Sequence, residues 1–238
     1  MSNIFNFKQF SVDQIDCGMK VNTDATLIGA LAESDNPKYI LDIGTGTGVI
    51  AMMLAQKYPE AIIDAVEIDE KAALTAGKNF ADSVFADRIN IQISSFEDHF
   101  RSILAKKYDL IVSNPPYFIN SSKSDDASKV LARHTNVDFF ENIISGSSKH
   151  LTDQGLLYLI LPLDTADLVL RTINQTQKLS LAKKIFIHSF PQSKPYRCIL
   201  VLSLRAISSD NEQFTIYGSQ NIYSTQYRSL LKDYLTIF

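Results

Sequence analysis

The 238-residue sequence has no tryptophan, only two cysteines and only nine glycines. Cys17 and Cys198 stand at no metal-ligand spacing, which excludes a disulfide framework and a cysteine-rich zinc site. No apolar run approaches the roughly 20 residues that cross a bilayer, and residues 1–10 lack the basic and apolar regions of a signal peptide. We therefore expect a cytoplasmic chain with no membrane association and no bound metal.

The sequence also lacks a strong charge of either sign, because 23 Lys and Arg stand against 26 Asp and Glu, a formal net charge of −3. Hydrophobic residues make up 45% and charged residues 21%, which excludes disordered, collagen-like and coiled-coil chains. A protein that coats nucleic acid without specificity would be more basic. A local basic face is still compatible with this average.

Short apolar runs alternate with helix-like stretches from Tyr39 onward. The runs lack a clean polar alternation, as expected of strands covered on both faces. Alternating strands and helices predict right-handed crossovers and a parallel, doubly wound α/β sheet. The predicted strands are 39–43, 61–66, 89–93, 108–113 and 156–161, and the predicted helices are 49–58, 70–80, 97–105, 137–150 and 164–176.

Two further strand-like runs, 179–189 and 196–205, leave no room for a crossover helix between them. They are predicted to pair antiparallel at one edge of the sheet, which gives seven strands in all. A mostly parallel sheet that ends in an antiparallel hairpin is typical of Rossmann-like methyltransferases. We expect this domain to span residues 35–205, with an N-terminal cap segment over 1–34 and a C-terminal extension over 206–238 packed on the core.

Three of the nine glycines, Gly44, Gly46 and Gly48, fall between the first strand and the following helix. Glycine allows a sharp turn and a close approach of backbone to ligand, and a helix N-terminus offers free N–H groups. The spacing G-x-G-x-G differs from the G-x-G-x-x-G of dinucleotide sites. The preceding Asp42 is poorly suited to a pyrophosphate and instead predicts a cationic or amine-bearing ligand.

The second strand ends in V-E-I-D at residues 66–69, where a carboxylate can accept both hydroxyls of a ribose. We assign this role to Glu67, whereas Asp69 could instead cap the next helix. A sulfonium, an amine and a ribose without a phosphate are the features of S-adenosylmethionine. The glycine loop and Glu67 therefore predict a site for this cofactor.

The fourth strand leads into Asn114-Pro115-Pro116-Tyr117, at the carboxyl edge where open α/β sheets bind ligands. The two prolines stiffen this segment, so that its carbonyl groups point in set directions. The Asn114 side chain and the Pro115 carbonyl can accept both N–H groups of a conjugated amine, which favours a pyramidal nitrogen with a usable lone pair. Tyr117 can stack on a flat base. The tetrapeptide predicts direct methyl transfer to such an amine, rather than a plain turn with a packed tyrosine.

Together, the glycine, acidic and N-P-P-Y motifs resemble those of N6-adenine and glutamine methyltransferases. Other segments, at 7–10, 19–24 leading into 27–29, 132–135, and 227–234 at the end of the sequence, resemble the bacterial tRNA1(Val) adenine-37 N6-methyltransferase family. The resemblance covers nearly the whole chain. It implies methyl transfer to N6 of adenine 37, beside the anticodon in the anticodon loop of a valine tRNA.

The resemblance also implies site residues. This class commonly has an Asp after the third strand to hold the adenine amine of the cofactor, and Ser95 takes that position here. The Ser95 hydroxyl, the Phe96 backbone N–H or Glu97 could replace it. The target adenine would lie against Asn114, Pro115, Pro116 and Tyr117. The residues predicted to bind the cofactor are Asp42, Gly44, Thr45, Gly46, Gly48, Glu67, Ile68, Ser95, Phe96 and Asn114.

Several charged and polar residues are candidates for contact with RNA. The stretch 168–209 contains no Asp or Glu and would form a basic face around the predicted hairpin, unless it is simply a solvated edge. Near the N-terminus, Thr23 and Asp24 either line the mouth of the site or cap the first helix. The candidate RNA-contacting residues are Lys20, Thr23, Asp24, Arg133, His134, Lys183, Lys184, Lys194 and Arg197.

Two other functions stay open at this point. Release-factor glutamine methyltransferases share the N-P-P-Y motif, but they carry a longer N-terminal helical domain than the 34 residues before this fold can supply. The fold could also serve as a non-catalytic module that binds the cofactor or RNA, which the intact cofactor and acceptor motifs disfavour. A tRNA methyltransferase is the leading prediction, and we infer no obligatory protein partner.

Overall fold

The computed structural model describes residues 3–15, 17–116, 126–205 and 210–238, without the side chains of 126–136. Its strands are β1 (Ile4–Asn6), β2 (Ser11–Asp13), β3 (Tyr39–Ile43), β4 (Ile62–Glu67), β5 (Ile89–Ile93), β6 (Tyr108–Ser113), β7 (Leu151–Leu161), β8 (Ser180–His188), β9 (Pro195–Ser203), β10 (Asp210–Thr215), β11 (Tyr217–Ser219) and β12 (Ile222–Tyr223). Its helices are α1 (Thr23–Leu31), α2 (Val49–Lys57), α3 (Glu70–Ala81), α4 (Phe96–Ser102), α5 (Asp126–His150), α6 (Leu163–Thr176) and α7 (Thr225–Leu231).

The central sheet has the strand order β10-β8-β9-β7-β6-β3-β4-β5. The strands from β3 to β7 pair in parallel, whereas β9 runs antiparallel between β7 and β8. This confirms the predicted α/β class, with a mostly parallel, doubly wound sheet and an antiparallel C-terminal hairpin. The topology follows from the sequence because each parallel strand is followed by a helix long enough to cross back over the sheet.

The predicted count of seven strands was wrong by one, because β10 adds an eighth strand. It pairs in parallel with β8, with Asp210 opposite Lys183 and Thr215 opposite His188. The hairpin of β8 and β9 was predicted to form the edge of the sheet, but β10 forms that edge instead. Arg197 therefore lies on an internal strand, β9. The central sheet also continues beyond residue 205, where the domain was expected to end.

Two apolar clusters fill the two faces of the sheet. One contains residues of α1, α2, α3 and α7, and the other contains residues of α4, α5 and α6. Along β3, Ile40 belongs to the first cluster and Leu41 to the second, because successive side chains of a strand point to opposite faces. The N-terminal residues Phe7, Phe10 and Val12 are buried in the first cluster. Among the described residues, no helix combines the length and apolarity needed to cross a membrane.

Candidate active site

The three sequence motifs meet where the order of the strands reverses. Strand β3 lies between β4 and β6, and the loops that leave such a switch point diverge and open a crevice. Ile43, at the end of β3, pairs with Val66 of β4 and with Ser113 of β6. Glu67 is the last residue of β4, and the glycine loop and Asn114 follow the ends of β3 and β6. The register therefore brings all three to the same carboxyl edge.

A cavity of about 450 Å³ opens at this edge, a volume within the range of small-molecule sites. Of the three N-terminal candidates from the sequence, Lys20 lines this cavity, whereas Thr23 and Asp24 do not. The other predicted residues in the cavity wall are Gly44, Thr45, Gly46, Glu67, Ile68, Ser95, Phe96, Asn114, Pro115 and Pro116.

The glycine loop adopts a conformation that favours glycine at three positions. The φ angles of Gly44, Gly46 and Gly48 are +69°, +56° and +83°, in the left-handed region. A Cβ at Gly44 or Gly46 would have no atom within 4 Å, whereas at Gly48 it would lie 2.3 Å from Cε1 of Phe80. Gly44 and Gly46 therefore leave space for a ligand against the backbone. Gly48 lies outside the cavity wall and allows α2 to pack against α3.

The Glu67 carboxylate is fixed by backbone donors. Oε2 accepts a hydrogen bond from the Gly46 N–H at 2.9 Å, and Oε1 accepts one from the Asp69 N–H at 2.9 Å. An ionised carboxylate has about four lone-pair sites, so these two bonds leave acceptor capacity for two hydroxyl groups. Asp69 itself caps α3, since its side chain accepts from the Ala72 N–H at 2.9 Å. Glu67 is thus the acid at this strand end that suits a ribose.

Asp42 lies behind the glycine loop and outside the cavity wall, although the sequence placed it against the ligand. Its side chain is fully buried, and Oδ2 accepts a hydrogen bond from the Thr45 hydroxyl at 2.6 Å. Burial raises the pKa of Asp42 to about 7, although hydrogen bonds from Thr45 and from the Ala51 backbone favour the charged form. Asp42 therefore supports the loop from behind, and the structure does not bring its side chain into the cavity wall.

We expect the Asp42→Asn variant to show a weaker dependence of stability on pH. A buried carboxyl whose pKa rises on folding loses stabilising free energy as the pH increases from the unfolded to the folded pKa. For Asp42 this window runs from 3.8 to about 7, and the loss over the whole window should be on the order of 4 kcal/mol. Urea unfolding at pH 4.5 and pH 8 would measure the difference. Asp87→Asn, at an exposed carboxyl, is the matched control, and an unchanged pH slope in Asp42→Asn would contradict this role.

Asn114 stands at the acceptor side of the cavity. It is only 8% exposed, and the hydroxyl of the preceding Ser113 donates to the Ile43 carbonyl at 2.9 Å, which ties the start of the N-P-P segment to β3. Nδ2 of Asn114 lies 3.9 Å from Sδ of Met19, so the acceptor oxygen Oδ1 faces away from that sulfur. Pro115 and Pro116 continue the wall. Tyr117 lies outside the described residues.

Much of the remaining wall comes from residues that the sequence analysis did not single out. Asn22 caps α1, because its Oδ1 accepts a hydrogen bond from the Ala25 N–H at 2.9 Å. The alternative that Thr23 or Asp24 caps this helix was therefore wrong. Asparagine is a favoured N-cap residue, so this signal was present in the sequence. The N-terminal wall residues missed are Cys17, Gly18, Met19, Asn22 and Ala25.

The opposite wall is formed by the start of α4. Ser95 caps this helix, since its Oγ accepts from the Asp98 N–H at 3.0 Å and its hydroxyl donates to Asp98 Oδ2 at 2.9 Å. The Phe96 ring packs edge-on against Phe139 of α5 at 5.3 Å, and both rings line the cavity. The Ser95 hydroxyl is thus committed to the helix. The Phe96 backbone and the Glu97 side chain are the remaining replacements for the usual Asp.

Three of the predicted basic residues are paired with acids from other parts of the chain. Lys183 Nζ lies 2.8 Å from Glu212 of β10, and Arg197 Nε lies 2.8 Å from Asp24 of α1. Lys184 Nζ lies 4.0 Å from Asp167 of α6. The basic face predicted around the hairpin is therefore reduced by these three pairs, whereas Lys194 is exposed in the β8–β9 turn. The side chains of Arg133 and His134 lie outside the described residues.

The sheet order, the antiparallel hairpin and the open glycine cradle define a methyltransferase fold. The family model described as methyltransferase small domain matches residues 6–188. A solved predicted O-methyltransferase from Agrobacterium tumefaciens has a TM-score of 0.69 at 17% identity, covering 89% of this chain and 96% of its own. TrmN from Thermus thermophilus has a TM-score of 0.56 at 20% identity, covering 76% of this chain and 48% of its own. These likenesses show the fold.

Curated relatives give the family. The tRNA1(Val) (adenine(37)-N6)-methyltransferase of Pedobacter heparinus is 42% identical over 238 residues, which is 100% of both chains. The enzyme of that name from Parabacteroides distasonis is 38% identical over 97% of this chain and 96% of its own. The chain belongs to the tRNA1(Val) (adenine(37)-N6)-methyltransferase family. This confirms the resemblance seen in the motifs, and the protein is an enzyme that uses S-adenosylmethionine.

Proposed function

We propose that this protein methylates the exocyclic N6 of adenine 37 in a valine tRNA, next to the anticodon. The observation that carries the proposal is that the glycine cradle, Glu67 and Asn114-Pro115 line one cavity at the switch point of the sheet. The names of relatives at 38–42% identity support the same substrate. The reaction would take place in the cytoplasm and needs no further protein.

The cofactor half of the cavity fits S-adenosylmethionine by its donor set and its shape. Gly44 and Gly46 leave open space beside the backbone, and Glu67 offers a fixed carboxylate, which suits the hydroxyl groups of a ribose and would repel a phosphate placed against it. The bound cofactor would supply a methyl group made electrophilic by a sulfonium. Glu67 would hold the ribose hydroxyls, and the wall at Phe96 and Glu97 would border the adenine of the cofactor.

The acceptor half would position and activate the adenine amine. Asn114 Oδ1 and the Pro115 carbonyl would accept the two N–H bonds of N6, which draws the nitrogen lone pair out of conjugation and toward the methyl group. Burial of Asn114 strengthens these hydrogen bonds, because little water competes for them. The methylated amine becomes acidic and loses its proton to water, so the proposal assigns no general base.

The substrate is tested by methyl incorporation. The protein, with radiolabelled S-adenosylmethionine, should transfer one methyl group to unmodified valine tRNA and none to a matched tRNA carrying guanine at position 37. Bulk rRNA and a release factor serve as competing acceptors. Label found only in the release factor would replace the proposal by glutamine methylation. Cofactor binding without label in any acceptor would favour a non-catalytic module.

A further inference from the structure

Three aromatic side chains in contact, Phe190, Tyr217 and Tyr223, form a surface that we name the aromatic ledge. Phe190 lies in the β8–β9 turn, and its ring centroid is 5.6 Å from that of Tyr217 in β11. Tyr217 stacks on Tyr223 of β12 at 5.2 Å and 18°. Tyr223 stacks in turn on Tyr227 of α7 at 4.9 Å and 12°. A continuous row of rings therefore runs from α7 to the turn between β8 and β9.

The row begins in the core and ends in solvent. Tyr227 is buried at 6% exposure, Tyr217 and Tyr223 are partly exposed, and Phe190 is 40% exposed. The backbone holds the row in place, since the Tyr217 N–H donates to the Ser189 carbonyl at 2.9 Å. A single exposed apolar side chain is common, but a row of contacting rings forms a contiguous apolar patch, and such patches mark contact sites.

The aromatic ledge lies on the same edge of the sheet as the cavity. The β8–β9 turn follows the end of β8, and β8 runs in the same direction as the strands that carry the glycine loop and Asn114. Two contacts join this region to α1: the Arg197–Asp24 ion pair at 2.8 Å, and the packing of α7, which carries Tyr227, against α1. Since the cap of α1, Asn22, lines the cavity, a strand of RNA whose target base lies in the cavity can extend across the aromatic ledge.

The charge around the aromatic ledge suits an anionic strand. The stretch 213–232, which supplies β11, β12 and α7, contains no Asp or Glu, and neither does 168–209. Lys194 lies in the same β8–β9 turn as Phe190 and is exposed, and Arg228 of α7 is exposed with its guanidinium 5.7 Å from the centroid of the Phe238 ring, which in turn contacts Tyr223. Asp24, which approaches from α1, is paired with Arg197. Stacking rings flanked by cations are the means by which proteins bind single-stranded nucleic acid.

We propose that the aromatic ledge binds an unpaired base of the anticodon loop by stacking on Phe190, while Lys194 contacts the backbone phosphate. This inference rests on the proposed tRNA substrate and extends it to a second contact outside the cavity. Every nucleobase has a face that stacks, so the aromatic ledge supplies affinity for the loop, whereas the cavity selects the base to be methylated.

The test compares Phe190→Ala with Phe190→Tyr and with Leu104→Ala. Leu104 is 85% exposed and lies between α4 and β6, so its substitution removes a comparable apolar side chain at the opposite edge of the sheet. The dissociation constant of an unmodified valine anticodon stem-loop would be measured by fluorescence anisotropy, together with kcat and KM for tRNA. Phe190→Ala should raise the dissociation constant and KM about tenfold, with kcat and cofactor binding unchanged. Phe190→Tyr and Leu104→Ala should resemble the wild type.

The outcomes separate the aromatic ledge from the proposed function. If the wild type methylates valine tRNA and Phe190→Ala binds the stem-loop normally, the aromatic ledge is overturned and the proposed function stands. If the wild type methylates no tRNA but Phe190→Ala still loses affinity for the stem-loop, the proposed function fails and the aromatic ledge stands as an RNA contact. An equal loss of stem-loop affinity in Phe190→Tyr would overturn stacking as the mode of contact.

Lys194→Ala should lower the slope of log affinity against log salt concentration by about one, because one phosphate contact is removed. An unchanged slope would overturn the phosphate contact of Lys194.

Discussion

Replacement of Asn114 by alanine should lower kcat for tRNA methylation by roughly 10²–10³-fold, the loss typical of one hydrogen-bond partner that acts in the transition state. The side-chain amide is buried at the end of β6, where Ser113 fixes the backbone to β3. Alanine removes the acceptor oxygen proposed to draw the N6 lone pair out of conjugation. It leaves the glycine cradle and Glu67 in place, so the dissociation constant of S-adenosylmethionine should change by only a few fold.

Single-turnover rates at saturating cofactor and tRNA would measure this effect apart from binding and product release. Asn211→Ala, at an exposed asparagine of the distant edge strand β10, is the matched control. Thermal unfolding of both variants would show whether Asn114→Ala still folds. A variant that methylates at the wild-type rate would remove Asn114 from the proposed role. A loss confined to cofactor affinity would make it a cofactor ligand only.

Most of the parallel part of the fold could be predicted from the sequence because its central strands are buried on both faces. Residues 108–113 contain the apolar run L-I-V and form the buried strand β6, whereas residues 89–93 alternate Ile with Asn and Gln and form the edge strand β5. Both strands have the predicted bounds. Strand β10 has the sequence D-N-E-Q-F-T and is largely exposed, so neither apolarity nor alternation marks it as a strand. Its pairing with β8 depends on a contact between distant parts of the chain. Local patterns cannot report such a contact.

Some residues of the candidate site could likewise be predicted from the sequence, and others could not. The positions of Gly46, Glu67 and Asn114 follow from the sequence because each lies at the end of a parallel strand or within three residues of it, and parallel strands end at one edge. The sequence predicted Asp42 to lie against the ligand, whereas the structure places its side chain behind the loop. The position of Asp42 before the loop does not determine which of these two directions its side chain takes. Phe139 of α5 had no local signal, since its approach to the cavity depends on how α5 packs on Phe96.

Charge is also decided by tertiary contacts. The sequence predicts a basic hairpin from the absence of acids in 168–209, but Glu212 and Asp24 come from outside that stretch and pair with Lys183 and Arg197. The net charge of a segment is therefore a weak guide to its surface potential when neighbouring elements carry the opposite sign. At the aromatic ledge, by contrast, two stretches without acids, 168–209 and 213–232, supply the partly exposed rings and the exposed Lys194.

The Glu67→Ala variant should raise the dissociation constant of S-adenosylmethionine by about 10²-fold. Hydrogen bonds to a charged group contribute roughly 1.5–3 kcal/mol each, and two ribose hydroxyls would lose such a bond. Glu67 also accepts from the Gly46 and Asp69 N–H groups, so part of the loss could come from a loosened loop rather than from the ribose. Isothermal titration calorimetry would measure the affinity, with Glu60→Ala, at an exposed acid before the same strand, as the control.

A cofactor analogue that lacks the ribose 2′-hydroxyl separates the two causes. If Glu67 binds that hydroxyl, removal of the carboxylate and removal of the hydroxyl delete the same hydrogen bond, so their free-energy costs should not add in a double-mutant cycle. If Glu67 only orders the glycine loop, the two costs should be additive. Additive costs would leave Glu67 as a support of Gly46, and the ribose would then need another acceptor in the cavity wall, where Asp69 is the neighbouring carboxylate.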